Sequence, residues 1–568
     1  MAVEKVPCLR TVLALTLLVA AGVAVVVAAG EASEVDAEAR KALAKRFPLP
    51  WKVSRSVTVF YGDFRDGGLW DSEAAGCKAA GAAPEDHPLM LRVCAEGDGK
   101  SEEQSGQARR MKMRSNGWLV LQILKERGLS MRMASPWGRL FWVRVGLPGV
   151  PTGDWPLLGY GELGPHQLVN RIPGMSTLLN KKDAFARSVA AKRAAFPDGG
   201  FDFHPVSYVL PADSAALAKA AAAVVASGGD QRFIIKPVCG GRGQDISVVA
   251  AEDVVAAAPA NGEWLVQDYI GNPLLVDGHK FSIRLYLLVT SVNPLRVFVA
   301  REGIVKFAGI PWSASRAANA LDPANINIHI TNNAANAHTP GFESSDSPEV
   351  DDVGLRRSIS AIRRQLADAG HDDAAIFAAI DDVLLKAVLA VEDEVSGLID
   401  AYVPYPNNTF QLLGVDVDLD ANLKPWVIEL NVNPSLGSHA AFETPHKKEL
   451  LHTVLDMAGA TPFDAAAFKA EVIAPRVHAA SCSGQPEPGL PQQTWCDERV
   501  FAAVVDFEYE LAMARGFDPL FPRAHNGRTM AGYMTTLKDA DAALLDYVLF
   551  KSARPPPPSP PFHLHTEL

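Results

Sequence analysis

Three oxygen-bearing side chains, Asp416, Glu429 and Asn431, stand in the run FQLLGVDVDLDANLKPWVIELNVNPSL at residues 410–436. Two carboxylates and an amide that converge suit a hard cation such as Mg²⁺, which takes oxygen ligands and keeps other positions for water or phosphate. Exposed acids near a hairpin are the plainer alternative. Against it, Glu429 sits inside the apolar run WVIEL, where an unpaired carboxylate is costly. A second group lies in FIIKPVCGGRGQDISVV at 233–249. Gly240, Gly241 and Gly243 let the backbone approach a ligand and aim N–H groups at it, with Lys236 and Arg242 in reach of a phosphate. A loop between two strands is not a Walker loop, which opens a helix; it suits a phosphate lid. In KFSIRLYLLVT at 280–290, Lys280, Ser282, Arg284 and Tyr286 share one parity, opposite an apolar face, with Leu288 as the exception. Lys280 and Arg284 either meet anions across a cleft or lie solvated on a half-exposed strand. Nearby Gln267, Asp268, Tyr269 and Ile270 could present backbone groups to an adenine edge.

These residues need strands to position them. Residues 410–419 alternate, with Leu413, Val415, Val417 and Leu419 on one face and Gly414, Asp416 and Asp418 on the other. A turn rich in Asp and Asn follows, and 425–430 returns. A two-residue loop at Ala421-Asn422 pairs Asp416 with Val427 and puts Glu429 and Asn431 on the face of Asp416; a three-residue loop would turn Glu429 away. Further strands are predicted at 57–61, 140–145, 233–236, 246–250, 264–270 and 280–290. A hairpin is predicted around Glu302-Gly303, joining 296–300 to 304–308. Helices are predicted at 118–126, 183–196 and 354–402, and mostly helix from the acidic hairpin to about 550. Arg356, Arg357, Arg363 and Arg364 recur at a spacing of seven on the 354–402 helix, as a basic patch or a solvated face. Residues 64–116 read as a loop insertion, and PPPPSPP near the end as extended chain. Thr331 and Asn332 in HITN read, taken alone, as a simple helix cap.

The 568 residues suffice for two or three domains. A net charge of −11 gives no global basic footprint, which argues against nucleic acid as the main partner. The six cysteines match no zinc pattern and are too few for a disulfide scaffold. Cys482 and Cys496 either close a small loop in an oxidising compartment or stay as buried thiols. Residues 11–30 carry no charge and are rich in Leu, Val and Ala, long enough for a signal anchor, a cleaved signal or a weak hydrophobic leader. The flanking charges put the bulk of the chain across the membrane.

In this order, the segments NRIPG at 170–174, KKD at 181–183, IIKP with its Gly loop, residues 266–308, HITN at 329–332 and 412–436 resemble the tubulin–tyrosine ligase-like family, with its ATP-grasp fold. The resemblance implies an α/β chain. Its parts would be a leader or anchor and linker (1–50), an N-terminal α/β domain (51–180), a central ATP-grasp domain (181–275), a C-terminal ATP-grasp domain with the Mg²⁺ hairpin (276–450), a helical extension (451–550) and a Pro-rich tail (551–568). It implies ATP and Mg²⁺, with Lys182 and Lys236 on phosphates and Gln267 to Ile270 as the adenine hinge. Thr331 and Asn332 would lie beside the phosphates, Lys280, Arg284 and Lys306 at the junction with the acceptor, and Asp416, Glu429 and Asn431 on the metal. Three positions depart from the family: Ser282 replaces an Asp, Asp245 ends the Gly loop, and Lys306 stands where Arg is frequent, losing bidentate recognition.

The implied activity is ATP-dependent ligation of an amino acid, glutamate first, to acidic tubulin tails through an acyl phosphate. Tyrosine or glycine ligation, a catalytically weak microtubule binder and a non-tubulin acceptor in a lumen are the alternatives. Cytoplasmic, microtubule-associated placement follows from the resemblance and conflicts with membrane anchoring or secretory entry through residues 11–30.

Overall fold

A computed structural model describes residues 163–554, except 239–242, 244, 260, 313–322, 333–335, 337–338, 340–346 and 484–492, with segments 45–46, 56–60, 116–127, 130–132, 140–143 and 160–161. The 64–116 insertion, the Pro-rich tail, and Gly240, Gly241 and Arg242 lie outside the described residues.

A small parallel sheet comes first. β1 (Ser56–Phe60) lies between β2 (Ser130–Arg132) and β3 (Leu140–Val143), and β3 pairs with β4 (Leu168–Val169). Helix α1 (Asn116–Glu126) buries Leu119, Val120, Ile123 and Leu124. Two helices follow, α2 (Met175–Leu179) and α3 (Lys182–Ala195). A four-stranded antiparallel sheet is ordered β5 (Ser207–Leu210), β8 (Trp264–Asp268), β6 (Arg232–Pro237), β7 (Ser247–Ala250). It packs on α4 (Ser214–Ala226) through Leu217, Ala221, Phe233, Ile235 and Val266.

The largest sheet is built on β10 (His279–Val292), whose first residues pair with the short β9 (Leu275–Val276). The strand parity of β10 decides the layers. Phe281, Ile283, Leu285, Leu287 and Val289 enter one core, against Ile380, Leu384 and Val388 of α6 (Asp373–Tyr402). Tyr286 and Leu288 enter a second core with Phe410 and Leu412. That core is covered by α7 (Glu443–Met457), α8 (Glu498–Met513) and α9 (Asp539–Ala553). This is why Leu288 breaks the alternation: the polar face of β10 becomes buried core beyond Arg284.

On one side β10 pairs with β14 (Gln411–Leu419), which pairs with β15 (Pro425–Asn431). β11 (Leu295–Ala300) lies opposite Leu287–Val292, and β12 (Ile304–Phe307) opposite Phe281–Arg284. The hairpin expected at Glu302-Gly303 is therefore corrected: β11 and β12 pair with β10 and not with each other. Gly303 serves close approach, since a Cβ there would stand 2.3 Å from the Arg284 carbonyl oxygen. β13 (Arg356–Ser358) extends the sheet beside β12, and β16 (Phe517–Phe521) beside β11.

Two further expectations change. Arg356 and Arg357 lie buried on β13, and only Arg363 and Arg364 are on α5 (Ile359–Asp368). All four meet acids: Glu443, Asp277, Asp373 and Asp351. No basic helix face results. The transmembrane helix is corrected as well. Among the described residues no helix is long and apolar enough to cross a membrane, and residues 11–30 lie outside them. The 30-residue α6 carries Asp381, Asp382, Lys386 and Asp393 beside its apolar face. Membrane anchoring and secretory entry thus have no spanning helix among the described residues to rest on. Cys482 and Cys496 are joined as a disulfide. The architecture is mixed α/β, of the ATP-grasp kind, with helices packed against the sheets at the C-terminal end.

Candidate active site

The acidic face depends on two one-residue shifts in the β14–β15 hairpin. The loop has three residues, Ala421 to Leu423, closed by Asp420 N–H donating to the Lys424 carbonyl, with Leu423 left-handed at φ 66. This differs from the two-residue loop expected and alone would turn Glu429 to the apolar face. A bulge at Ile428 then adds a second shift: Val417 opposes Val427, but Asp416 opposes Glu429 and Gly414 opposes Asn431. Two single shifts make a full pleat, so Glu429 and Asn431 return to the face of Asp416. The Asn431 amide donates to Glu429 at 3.2 Å.

Neighbouring strands bring the cations. Register places Arg284 opposite Asp416 across β10–β14, and Ser282 opposite Lys306 across β10–β12. Arg284 donates to both Asp416 oxygens at 2.6 and 2.9 Å, and Lys306 adds a bond at 2.8 Å. Burial raises the Asp416 carboxyl, but the two cations outweigh it and hold it far below the ordinary range. Lys280 pairs with Asp418 at 3.1 Å and lies over the Tyr269 ring, 5.1 Å from its centroid. Asp418 follows Asp416 by two on the same face and, outside the expected metal set, serves Lys280.

Lys236 of the four-stranded antiparallel sheet and Lys182 of α3 face the same region. Lys236 is buried and donates to Gln267 at 2.9 Å. Burial pushes its ammonium down to about 8, opposed by Glu429 and Asp418 and reinforced by Lys182 and Lys280. Lys182 begins α3 and donates to the Pro237 carbonyl at 3.1 Å. Gln267 also donates to His204 and to Ser207. Burial raises Asp268 to about 6, with Arg193 opposing. The Tyr269 hydroxyl meets His329 Nδ1 at 3.0 Å, Trp312 stacks on its ring, and Ile270 is buried.

Gly243, at φ +75, lies where an added Cβ would be 3.3 Å from Asn332 and 3.1 Å from Ile330, so the described tip of the Gly loop rests on HITN. The Asn332 carbonyl accepts from the N–H of Asn336, a helical residue four positions on, at 3.1 Å. The buried Asn336 side chain ties the segment down, donating to the carbonyls of Ile330 and Asn332 and accepting from Gly309 N–H. Asn336 and His204 are lone polar residues in sequence, with no spacing to flag them.

Five cations (Lys182, Lys236, Lys280, Arg284, Lys306) thus meet three carboxylates (Asp416, Asp418, Glu429), a surplus suited to a polyanion. The donor set also fits a hard cation. Asp416 spends three of its roughly four lone-pair sites on Arg284 and Lys306, leaving room for a shared oxygen. Among the described residues no three His, Cys, Asp or Glu side chains cluster as a metal cage. A cation here must complete its shell with an amide, water or phosphate, which is the habit of Mg²⁺.

The family model described as the tubulin-tyrosine ligase family matches residues 161–467. Mouse tubulin monoglutamylase TTLL4 is 33% identical over 301 residues, covering 53% of this chain and 24% of that protein. Tubulin polyglutamylase ttll-5 of Caenorhabditis elegans is 32% identical over 305 residues, 52% of this chain and 41% of that protein. Its polyglutamylase ttll-4 is 27% identical over 408 residues, 66% of this chain and 63% of that protein. The chain spans less than two thirds of the length of each of these relatives.

Proposed function

The chain belongs to the tubulin-tyrosine ligase family, and from that premise we propose that it is an ATP-dependent ligase that adds an amino acid, glutamate first, to a carboxylate of an acidic tubulin tail. The observation that carries this reading is the meeting of Arg284 and Lys306 on Asp416, with Glu429 directly opposite and the buried Lys236 nearby. Relatives named as glutamylases favour glutamate over tyrosine or glycine.

Asp416, Glu429 and Asn431 would hold Mg²⁺. When bound, the ion supplies charge neutralisation for phosphoryl transfer. Lys182 and Lys236 would bind the triphosphate, with Gly243 seated against Asn332 beside it. Gln267 to Ile270 take the adenine. The substrate carboxylate receives the γ-phosphoryl group as the bond to ADP breaks. The incoming amine then attacks that carbonyl, the C–N bond forms, phosphate leaves with the carboxylate oxygen, and the amine loses a proton. Lys280, Arg284 and Lys306, already fixed by their acids, orient the acceptor and stabilise the oxyanion without reorganising.

A second reading, a catalytically weak microtubule binder, is favoured by Asp245, left-handed at φ 55 beside the phosphate loop, and by Ser282 opposite Lys306. Incubating purified chain with tubulin, Mg·ATP and radiolabelled Glu, Gly or Tyr separates the two. Incorporation of one amino acid supports the ligase; none of the three, with nucleotide binding intact, leaves only the binder.

A further inference from the structure

We propose that His204 is a positioning residue that locks the bulge of β15 and so keeps Glu429 opposite Asp416. The proposal rests on the metal-binding reading above.

Among the described residues β15 pairs only with β14, so its other edge is open to slippage. That edge is held at Val427, the residue just before the bulge. Val427 N–H donates to the Phe203 carbonyl at 2.9 Å, and the Val427 carbonyl accepts from His204 Nδ1 at 2.7 Å. Both backbone groups of Val427 are thus tied to the segment between α3 and β5. His204 is itself rigid: it is buried, and Phe185 packs edge-on against it at 5.1 Å.

Its tautomer follows from its partners. Gln267 Nε2, an amide donor, lies 2.9 Å from His204 Nε2. The Gln267 oxygen accepts from Lys236, which fixes the amide orientation. Nε2 of His204 is therefore the acceptor and Nδ1 carries the proton. Burial, with Lys236 nearby, holds the imidazole neutral, with its pKa at about 3. One imidazole thus joins the Val427 carbonyl to the Gln267–Lys236 pair. The acidic hairpin and the phosphate lysine are set by one side chain that need touch neither metal nor nucleotide.

If the lock fails, Glu429 and Asn431 are free to slip by one residue to the apolar face, while Lys236 keeps its own strand. Metal affinity should therefore fall more than nucleotide affinity. Loss of an outer partner of a metal ligand costs about 10–100-fold in metal affinity.

The test uses the full chain and measures thermal stabilisation by ATP with graded Mg²⁺ and by ATP in EDTA. H204N keeps an N–H at the Nδ1 position and is expected to retain wild-type Mg²⁺ dependence. H204Q reaches toward Gln267 but not Val427. It is expected to keep stabilisation by ATP in EDTA and to need about tenfold more Mg²⁺. S207A cuts another Gln267 partner without touching Val427 and is expected to match wild type. Equal Mg²⁺ dependence in H204N and H204Q, or an S207A loss as large as that of H204Q, overturns the proposal. So does an H204N that fails to fold alongside H204Q, which assigns His204 to folding alone. Absence of any Mg²⁺ effect in the unmutated chain overturns the metal reading itself, and is told apart because it needs no variant.

Discussion

Replacing Glu443 by Gln removes one charge from a site sealed from water. Glu443, at the start of α7, is fully buried and accepts from Arg356, from Lys447 at 2.7 Å and from the His439 N–H at 3.3 Å. Lys447 also donates to the Gly437 carbonyl at 2.6 Å, so the cluster pins the loop that leaves Asn431. Burial raises the carboxyl, but Arg356 and Lys447 outweigh it and hold it at about 2. The Gln variant leaves two buried cations facing a neutral amide. Breaking a buried pair from one side costs about 3–5 kcal/mol. At about 2 °C per kcal/mol for a large domain, the midpoint should drop by about 6–10 °C. Scanning calorimetry of the full chain at pH 7 in metal-free buffer measures this. The sign with pH is fixed: the folded value lies below the ordinary 4.5, so the contribution is full above 4.5 and is lost as pH falls toward 2. The gap between wild type and variant should close over that window. Adding Lys447→Met should recover part of the loss, since one uncompensated charge goes with it. A single variant within about 1 °C of wild type (about 0.5 kcal/mol), or a gap unchanged below pH 4.5, refutes the reasoning.

Lys236 is charged below about 8 in the free protein, so metal-free ATP affinity should weaken as pH rises from 7 to 9. Lys236→Met should bind about 10–100-fold more weakly and lose that pH dependence, as read by equilibrium dialysis. Gly303→Ala forces a Cβ to within 2.3 Å of the Arg284 carbonyl and 2.7 Å of Ile359. It should cost about 1–3 kcal/mol in calorimetry and lower turnover by displacing Arg284 from Asp416; unchanged turnover would separate Gly303 from the site.

Strand parity made the acidic face legible, because a period of two survives any error of whole pleats. It did so through a wrong loop: the three-residue turn and the Ile428 bulge are each invisible to alternation and cancel only in space. The Glu302-Gly303 turn signal misled because glycine marks close approach as readily as a hairpin, and Gly303 meets the Arg284 backbone. Arg356 and Arg357 read as helix because a spacing of seven ignores where a helix starts; Ser358 caps α5, leaving both on a strand. The pairing of Arg284 and Lys306 with Asp416 spans more than a hundred residues and rests on strand neighbours that no local pattern specifies.

As proposed, this cleft joins glutamate to tubulin and needs the β14–β15 acids to hold its metal. Incorporation of radiolabelled Glu, Gly and Tyr into purified tubulin, for wild type and Glu429→Gln, tests it most directly. The prediction is ATP- and Mg²⁺-dependent incorporation of glutamate by wild type and none by the variant. Incorporation by Glu429→Gln at the wild-type rate, or none by a wild type that binds Mg·ATP, would contradict it.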